Sequence, residues 1–155
     1  MSELIFRRAN ENDAETVRAL THAAYAKWVP VIGRRPKPMN VDYEQAVQTR
    51  AIELAYEDGV LVALYETIPA ADHLLLENIA VAPAHQRQGL GHRLMARIEA
   101  LARARGLPKV RLYTNKAFDS NLAFYQKLGY AIEREEPIKG GGTMVHLAKK
   151  IVKQP

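Results

Sequence analysis

The stretch from Ala84 to Arg93 sets two glycines, Gly89 and Gly91, where an apolar run (Leu74 to Val81) gives way to helical periodicity beginning at Leu90. A glycine-bearing turn that opens directly into a helix is a phosphate-binding device. The unpaired N–H groups of the first helical turn point at the ligand, and the helix dipole favours negative charge there. Glycine lets the backbone approach an anion with no Cβ in the way. The chemistry predicted from these residues is the holding of a pyrophosphate.

Three phosphate loops compete for the assignment. A P-loop needs Lys and Ser/Thr after its second glycine, whereas Gly91 is followed by His92 and Arg93. A dinucleotide fingerprint needs a third glycine where this chain has Leu94. What remains is Gln86-x-x-Gly89-x-Gly91, which resembles the Gln/Arg-x-x-Gly-x-Gly/Ala signature of the GNAT superfamily of acyl-CoA-dependent N-acyltransferases. The resemblance extends on both sides. Leu74 to Val81 with Pro83 is similar to the family's fourth strand, Lys109 to Thr114 to the next one, and Asn121 to Tyr130 to its short helix and the strand after it.

That resemblance implies acetyl-CoA as co-substrate, with the loop residues Gln86, Arg87, Gln88, Gly89, Leu90, Gly91 and His92 around its pyrophosphate. The competing reading of the glycines is a tight turn and nothing more, and Arg87, Gln88 and Arg93 could equally be solvated. Ile79, Ala80 and Val81 would pair their backbone with pantetheine, and one of their N–H groups would stabilise the developing oxyanion; their side chains could still pack as a plain buried strand. Tyr125 occupies the position of the family's tyrosine that protonates the departing thiolate, unless it merely packs as Phe124 and Leu128 would; spacing speaks against packing, since Phe124 and Leu128 share a face and Tyr125 is turned about 100° from the first. Asn121, one helical turn earlier, resembles the asparagine that contacts the cofactor.

Direct transfer needs a neutral amine, so a base must take its proton. Glu77 is the leading candidate, because a carboxylate among Leu74, Leu75, Leu76 and Ile79 costs several kcal/mol to bury unless it is paired or functional. His73 and a water relay stay open. By resemblance, Tyr25, Trp28, Met39 and Tyr43 would frame the acceptor, with Pro36 and Pro38 completing an apolar wall; Tyr25 and Trp28 could instead finish the buried face of the first helix.

At 155 residues the chain fits one domain, and its 48% hydrophobic and 25% charged content is that of a globular protein. No apolar run reaches the roughly 20 residues of a membrane span, and Met1 to Arg8 has no signal-like pattern. The absence of cysteine excludes disulfides, thiolate catalysis and an acyl-cysteine intermediate, and it suits the cytoplasm. The five histidines have no metal-ligand spacing, so no metal is expected. The net charge of +5 raises the possibility of nucleic acid, but no nucleic-acid motif accompanies the scattered cations, and a polyanionic CoA also suits a basic surface. Neither nucleic acid nor membrane is expected as a partner. The acceptor would be a small-molecule or peptide amine, and a homodimer is compatible with this reading. A non-catalytic CoA-binding sensor or interaction module is the alternative function; Tyr125 and Glu77 favour the enzyme.

Positioning these residues requires a particular order of elements. Leu4 to Arg8 reads as a strand. A helix capped by Asn12 with Glu15 follows and stops at Pro30. A Pro-punctuated loop runs to Asn40, and a short helix is capped by Asp42. A hairpin turns at Glu57 to Gly59. The central strand, loop and long helix come next, the helix burying Leu90, Leu94, Ile98 and Leu101 and ending at Gly106. A strand, a helix capped by Asp119 or Ser120, and two closing strands complete the chain. This is an α/β chain of α+β type, one domain over 1–155. The resemblance implies the GNAT fold, a mixed and mostly antiparallel seven-stranded sheet flanked by about four helices.

Overall fold

The computed structural model describes residues 3–152; Met1 and Ser2, which open the segment read for a leader, lie outside them. The elements are β1 (Leu4–Arg8), α1 (Ala14–Tyr25), α2 (Val29–Ile32), α3 (Tyr43–Thr49), β2 (Ala51–Glu57), β3 (Val60–Pro69), β4 (Leu74–Val81), α4 (Leu90–Ala104), β5 (Lys109–Asn115), α5 (Asp119–Lys127), β6 (Ala131–Pro137) and β7 (Thr143–Lys150). Strand order is β1-β2-β3-β4-β5-β7-β6. β4 pairs parallel with β5, while β1–β2, β2–β3, β5–β7 and β6–β7 are antiparallel. The expected class and sheet are thus present. No helix is long and apolar enough to cross a membrane among the described residues.

The chain forms two compact units, Met1–Ile68 with Glu77–Met95, and Pro69–Leu76 with Ala96–Pro155. In the first, α1 and α3 bury Val17, Leu20, Ala46 and Val47 against Ile52, Leu54, Leu64 and Ala80. Its entry into α1 differs from the sequence reading. A 3-10 turn, Glu11–Asp13, leads into α1, which has no side-chain cap of its own; Asn10 caps that turn, accepting from the Asn12 N–H, and Asp13 returns the bond by accepting from the Asn10 N–H. The box closes two residues earlier because Asp13 also accepts from Nη1 and Nη2 of Arg7, at 2.8 Å each. Pro30 does not end the helix. A 3-10 turn, Ala26–Trp28, carries the chain on, and Pro30 sits in the first turn of α2, where its missing N–H would be unpaired anyway. Asp42 caps α3 as expected. Asp58 and Gly59, at φ 51° and 78°, form the tight turn joining β2 to β3.

In the second unit β5 and β6 flank β7. The β4–β5 ladder covers Leu74, Leu75 and Leu76; the rest of β4 belongs to the first unit. Of the stripe expected on α4, Leu90, Leu94 and Ile98 are buried, and Ala102 rather than Leu101 continues it. Four residues on from Ile98 is the closer return to the same helical face, which is why the smaller side chain is the buried one. The helix closes on Gly106 (φ 68°), with the Leu107 N–H reaching the Ala102 carbonyl. No side chain of Asp119 or Ser120 caps α5; Phe118 is its N-cap residue, and the Asn115 side chain holds the turn before it through the Ala117 N–H.

Candidate active site

In the first unit β4 ends at Val81, a 3-10 turn follows over Pro83–His85, and α4 starts at Leu90. Between them Arg87 (φ 64°) and Gly89 (φ 81°) are left-handed. Glycine adopts this conformation without penalty; an arginine there stores backbone strain of the kind that persists at functional turns. The first helical bond across the turn is Arg93 N–H to the Gly89 carbonyl. The amides of Arg87, Gln88, Gly89, Leu90 and Gly91 consequently have no protein partner among the described residues. A run of unpaired donors at a helix start, with left-handed turns before it, is an anion cradle.

Gln86 fixes this turn. Its Nε2 donates to the Val81 carbonyl at 3.0 Å and its Oε1 accepts from Lys27 Nζ at 3.2 Å. Its side chain therefore acts on the loop's shape. Gln88 reaches only the Ala84 carbonyl, at 3.5 Å. Arg93 is committed to Glu57, with Nη1 3.1 Å from Oε2, so of the three residues read as phosphate neighbours it is the one with a carboxylate already in hand. His92 lies in the first turn of α4.

Along β4 the Ala82 N–H donates to Val62 on β3, so strand alternation turns the amides of Ile79 and Val81 to the other edge. Their carbonyls are met there by side chains, Ile79 by the Tyr25 hydroxyl at 3.3 Å and Val81 by Gln86. Ala80 packs its methyl into the core at 2% exposure. Tyr25 also donates to Asn78 Oδ1 at 2.7 Å. Read from the sequence as part of an acceptor wall, Tyr25 has its hydroxyl tied to the strand. Tyr43 lies in the core, with its hydroxyl on the Pro38 carbonyl at 2.6 Å, and so anchors the 3-10 turn Lys37–Asn40 rather than facing an acceptor. Trp28 and Met39 are half-buried.

Glu77 has a side chain 17% exposed and lies 3.6 Å from Lys37 Nζ. The cation comes from the Lys37–Asn40 turn and not from a neighbouring strand. A second acid near it escaped the sequence reading. Glu66, on β3, is 2% exposed, has Oε1 3.6 Å from Arg50 Nη1, and leaves Oε2 without a hydrogen-bond partner among the described residues. Burial raises its pKa, and the charge of Glu77 raises it further against the pull of Arg50. The apolar context that drew attention to Glu77 also surrounds Glu66, between Tyr65 and Thr67 in a run of buried residues, and would have found it.

A carboxyl whose folded-state pKa is raised is favoured while protonated. Its contribution to stability is greatest below the ordinary carboxylate range and fades as pH climbs through the raised value. Glu66→Gln, which mimics the protonated form, is therefore expected to gain on the wild type as pH rises from 4 to 8. Melting temperatures of the two across that range check this. A constant difference would show that Glu66 ionises at no cost.

In the second unit Tyr125 is the buried residue of α5, 6% exposed, with its ring edge-on to Phe124 (5.3 Å between centroids) and Tyr130 (6.0 Å). Phe124 and Leu128 are only half-buried, so the face on which Tyr125 stands is the more buried one. Its hydroxyl has no hydrogen-bond partner among the described residues. Burial pushes its pKa well above the ordinary tyrosine value, which keeps it protonated and a donor. Asn121 is half-buried one turn earlier, and its side chain too is without a protein partner among the described residues. His73, at the head of β4, has Nδ1 2.7 Å from Asp72 and 3.1 Å from Arg111, itself paired with Glu133. That ring is held in an ion network. No group of three or more metal-ligating side chains occurs among the described residues.

The sequence profile of the acetyltransferase (GNAT) family matches residues 17–130, well over half of the chain. The chain belongs to the GNAT acetyltransferase family. Its loop, strand and α5 residues fall within that span. Mouse N-alpha-acetyltransferase 80 is 42% identical over 67 residues, which are 43% of this GNAT chain; the match spans only 19% of the mouse protein's length. The ribosomal-protein-S18-alanine N-acetyltransferase of Escherichia coli superposes with a TM-score of 0.73 at 19% identity, covering 99% of this chain and 97% of that one. yncA of Salmonella typhimurium, solved with its cofactor acetyl-CoA, superposes with a TM-score of 0.72 at 18% identity and the same coverage. These likenesses carry the fold.

Proposed function

We propose that this protein transfers an acetyl group from acetyl-CoA to a primary amine by direct attack. The observation that carries the reading is the run of unpartnered amides from Arg87 to Gly91 at the β4–α4 turn, a cradle that fits a pyrophosphate. The thioester supplies an acetyl group already activated for transfer. Glu77 takes a proton from the acceptor ammonium, leaving its nitrogen lone pair free to form the new C–N bond. A backbone N–H of Ile79 or Val81, the amides turned away from β3, meets the carbonyl oxygen as charge develops on it. The nitrogen, cationic after attack, sheds its second proton to solvent, Tyr125 gives its proton to the sulfur as the C–S bond breaks and the C=O bond re-forms, and solvent reprotonates Tyr125. Without cysteine there is no thiol to carry the acetyl group, in keeping with a sequential route. Peptide N-termini belong among the acceptors tested, given that two of the similar proteins are named for acetylating α-amino groups or an alanine.

Acetyl-CoA at millimolar concentration is expected to raise the melting temperature through mass action, and NAD or ATP much less. Mixing the protein with acetyl-CoA and a panel of amines should then release free CoA thiol. Stabilisation with no thiol release from any amine would turn the assignment to a CoA-binding module; a flat thermal titration would remove both. Glu77→Gln is expected to lower turnover most at the acid end of the active range, where the smallest fraction of amine is already neutral. Parallel pH–rate curves for wild type and variant would transfer the base's role to a water relay or to His73.

A further inference from the structure

Several cations that line this fold are already committed. Arg7, Arg50, Arg93, Arg111, Lys116 and Lys149 each face a carboxylate. Lys27 and Arg87, like several other exposed cations, face none among the described residues, and these two stand beside the glycine turn. Lys27 Nζ reaches Oε1 of Gln86, the residue before Arg87, at 3.2 Å, and burial first and then the charge of Arg87 lower its pKa. Bringing two like charges together with no counter-ion costs free energy in the empty protein. The cost is offset if an anion completes the group.

Lys27 is also held in place. It sits in the 3-10 turn Ala26–Trp28, with its ammonium 5.2 Å from the Trp28 ring centroid and hydrogen-bonded to Gln86 Oε1, while Gln86 is pinned to Val81 by its other side-chain atom. A neutral acceptor steadies the ammonium and leaves its charge uncancelled. We propose that Lys27, from outside the glycine turn, is a ligand of the pyrophosphate held by the amides of residues 87–91, completing with Arg87 a two-cation clamp. This rests on the acetyl-CoA reading above. It also makes one turn of chain serve two ends, since Lys27 is flanked by Trp28 and lies two residues from Tyr25.

Calorimetric titration of the full chain with CoA and with dephospho-CoA tests it. Lys27→Met should weaken binding of both about tenfold, the scale of one charge-assisted hydrogen bond. Lys27→Arg should restore most of the loss. The salt dependence of binding should flatten in Lys27→Met, as expected when one charge contact is removed. Wild-type binding with Lys27→Met within twofold of it would make Lys27 a solvated surface cation and overturn the proposal alone. A loss seen with CoA but absent with dephospho-CoA would move the contact to the 3′-phosphate and overturn the pyrophosphate assignment. A wild type that binds neither compound would bring down the acetyl-CoA reading itself, and this inference with it.

Discussion

Gly91→Val is expected to raise the dissociation constant for acetyl-CoA about 100-fold, the cost of losing roughly two charge-assisted hydrogen bonds. Gly91 is the second residue of α4, and its amide is one of the unpaired donors at the turn. A β-branched side chain there crowds the approach of any anion to the neighbouring amides. The fold should tolerate the change, because valine is intrinsically no worse than glycine within a helix. The melting temperature without ligand should accordingly move by only a few degrees, and Gly91→Ala should fall between the two in affinity. Calorimetry on the three proteins separates binding from folding. An affinity for Gly91→Val within about threefold of wild type would place the pyrophosphate elsewhere.

The elements that position this turn were legible because each announces itself locally. The eight residues of β4 run Leu74 to Val81 as read, since apolar strands bounded by a turn and a proline leave little choice of ends. Gly106 and the Asp58–Gly59 pair mark their turns by the left-handed backbone they adopt. Errors arose where a distant partner decided between local options. Asn12 and Asn10 are both competent caps, and the Arg7–Asp13 ion pair favours the earlier one. Pro30 could end a helix or begin one, and the chain restarts as α2.

The site was less legible than the fold for the same reason. Tyr25, Tyr43 and Lys27 are ordinary residues in a helical pattern, and only three-dimensional partners assign the first to Asn78, the second to Pro38 and the third to Gln86. Periodicity also misjudged α5. Phe124 and Leu128 share a face, which suggested that Tyr125 was turned away from the packed side, yet Tyr125 is the buried residue. A nine-residue helix with one buried side chain carries too little pattern for spacing to identify its inner face. Glu66 is the exception, for it sits in the same kind of apolar strand as Glu77 and the same reasoning reaches it; what only the structure adds is its unpaired Oε2.

The burial of Tyr125 makes its substitution by phenylalanine decisive between an enzyme and a binding module. The ring stays against Phe124 and Tyr130, and the hydroxyl that is removed has no partner among the described residues to leave unsatisfied, so stability should hold or rise slightly. General-acid assistance spans about 10²–10⁴-fold, and a thiolate leaves more readily than an alkoxide or an amine. Turnover should thus fall by about 10²-fold, with the Michaelis constant for acetyl-CoA nearly unchanged, as for an interaction made only in the transition state. The raised pKa of Tyr125 adds a second signature. With its proton retained far into the alkaline range, the wild type should show no loss of activity from tyrosine ionisation between pH 7 and pH 10, close to an ordinary tyrosine's pKa. Steady-state kinetics on both proteins over that range read out both effects. Unchanged turnover across the amine panel would make Tyr125 a packing residue, with solvent protonating the thiolate. A collapse in acetyl-CoA affinity alongside turnover would instead make the hydroxyl a ground-state contact, and the division of labour between binding turn and catalytic tyrosine would fall.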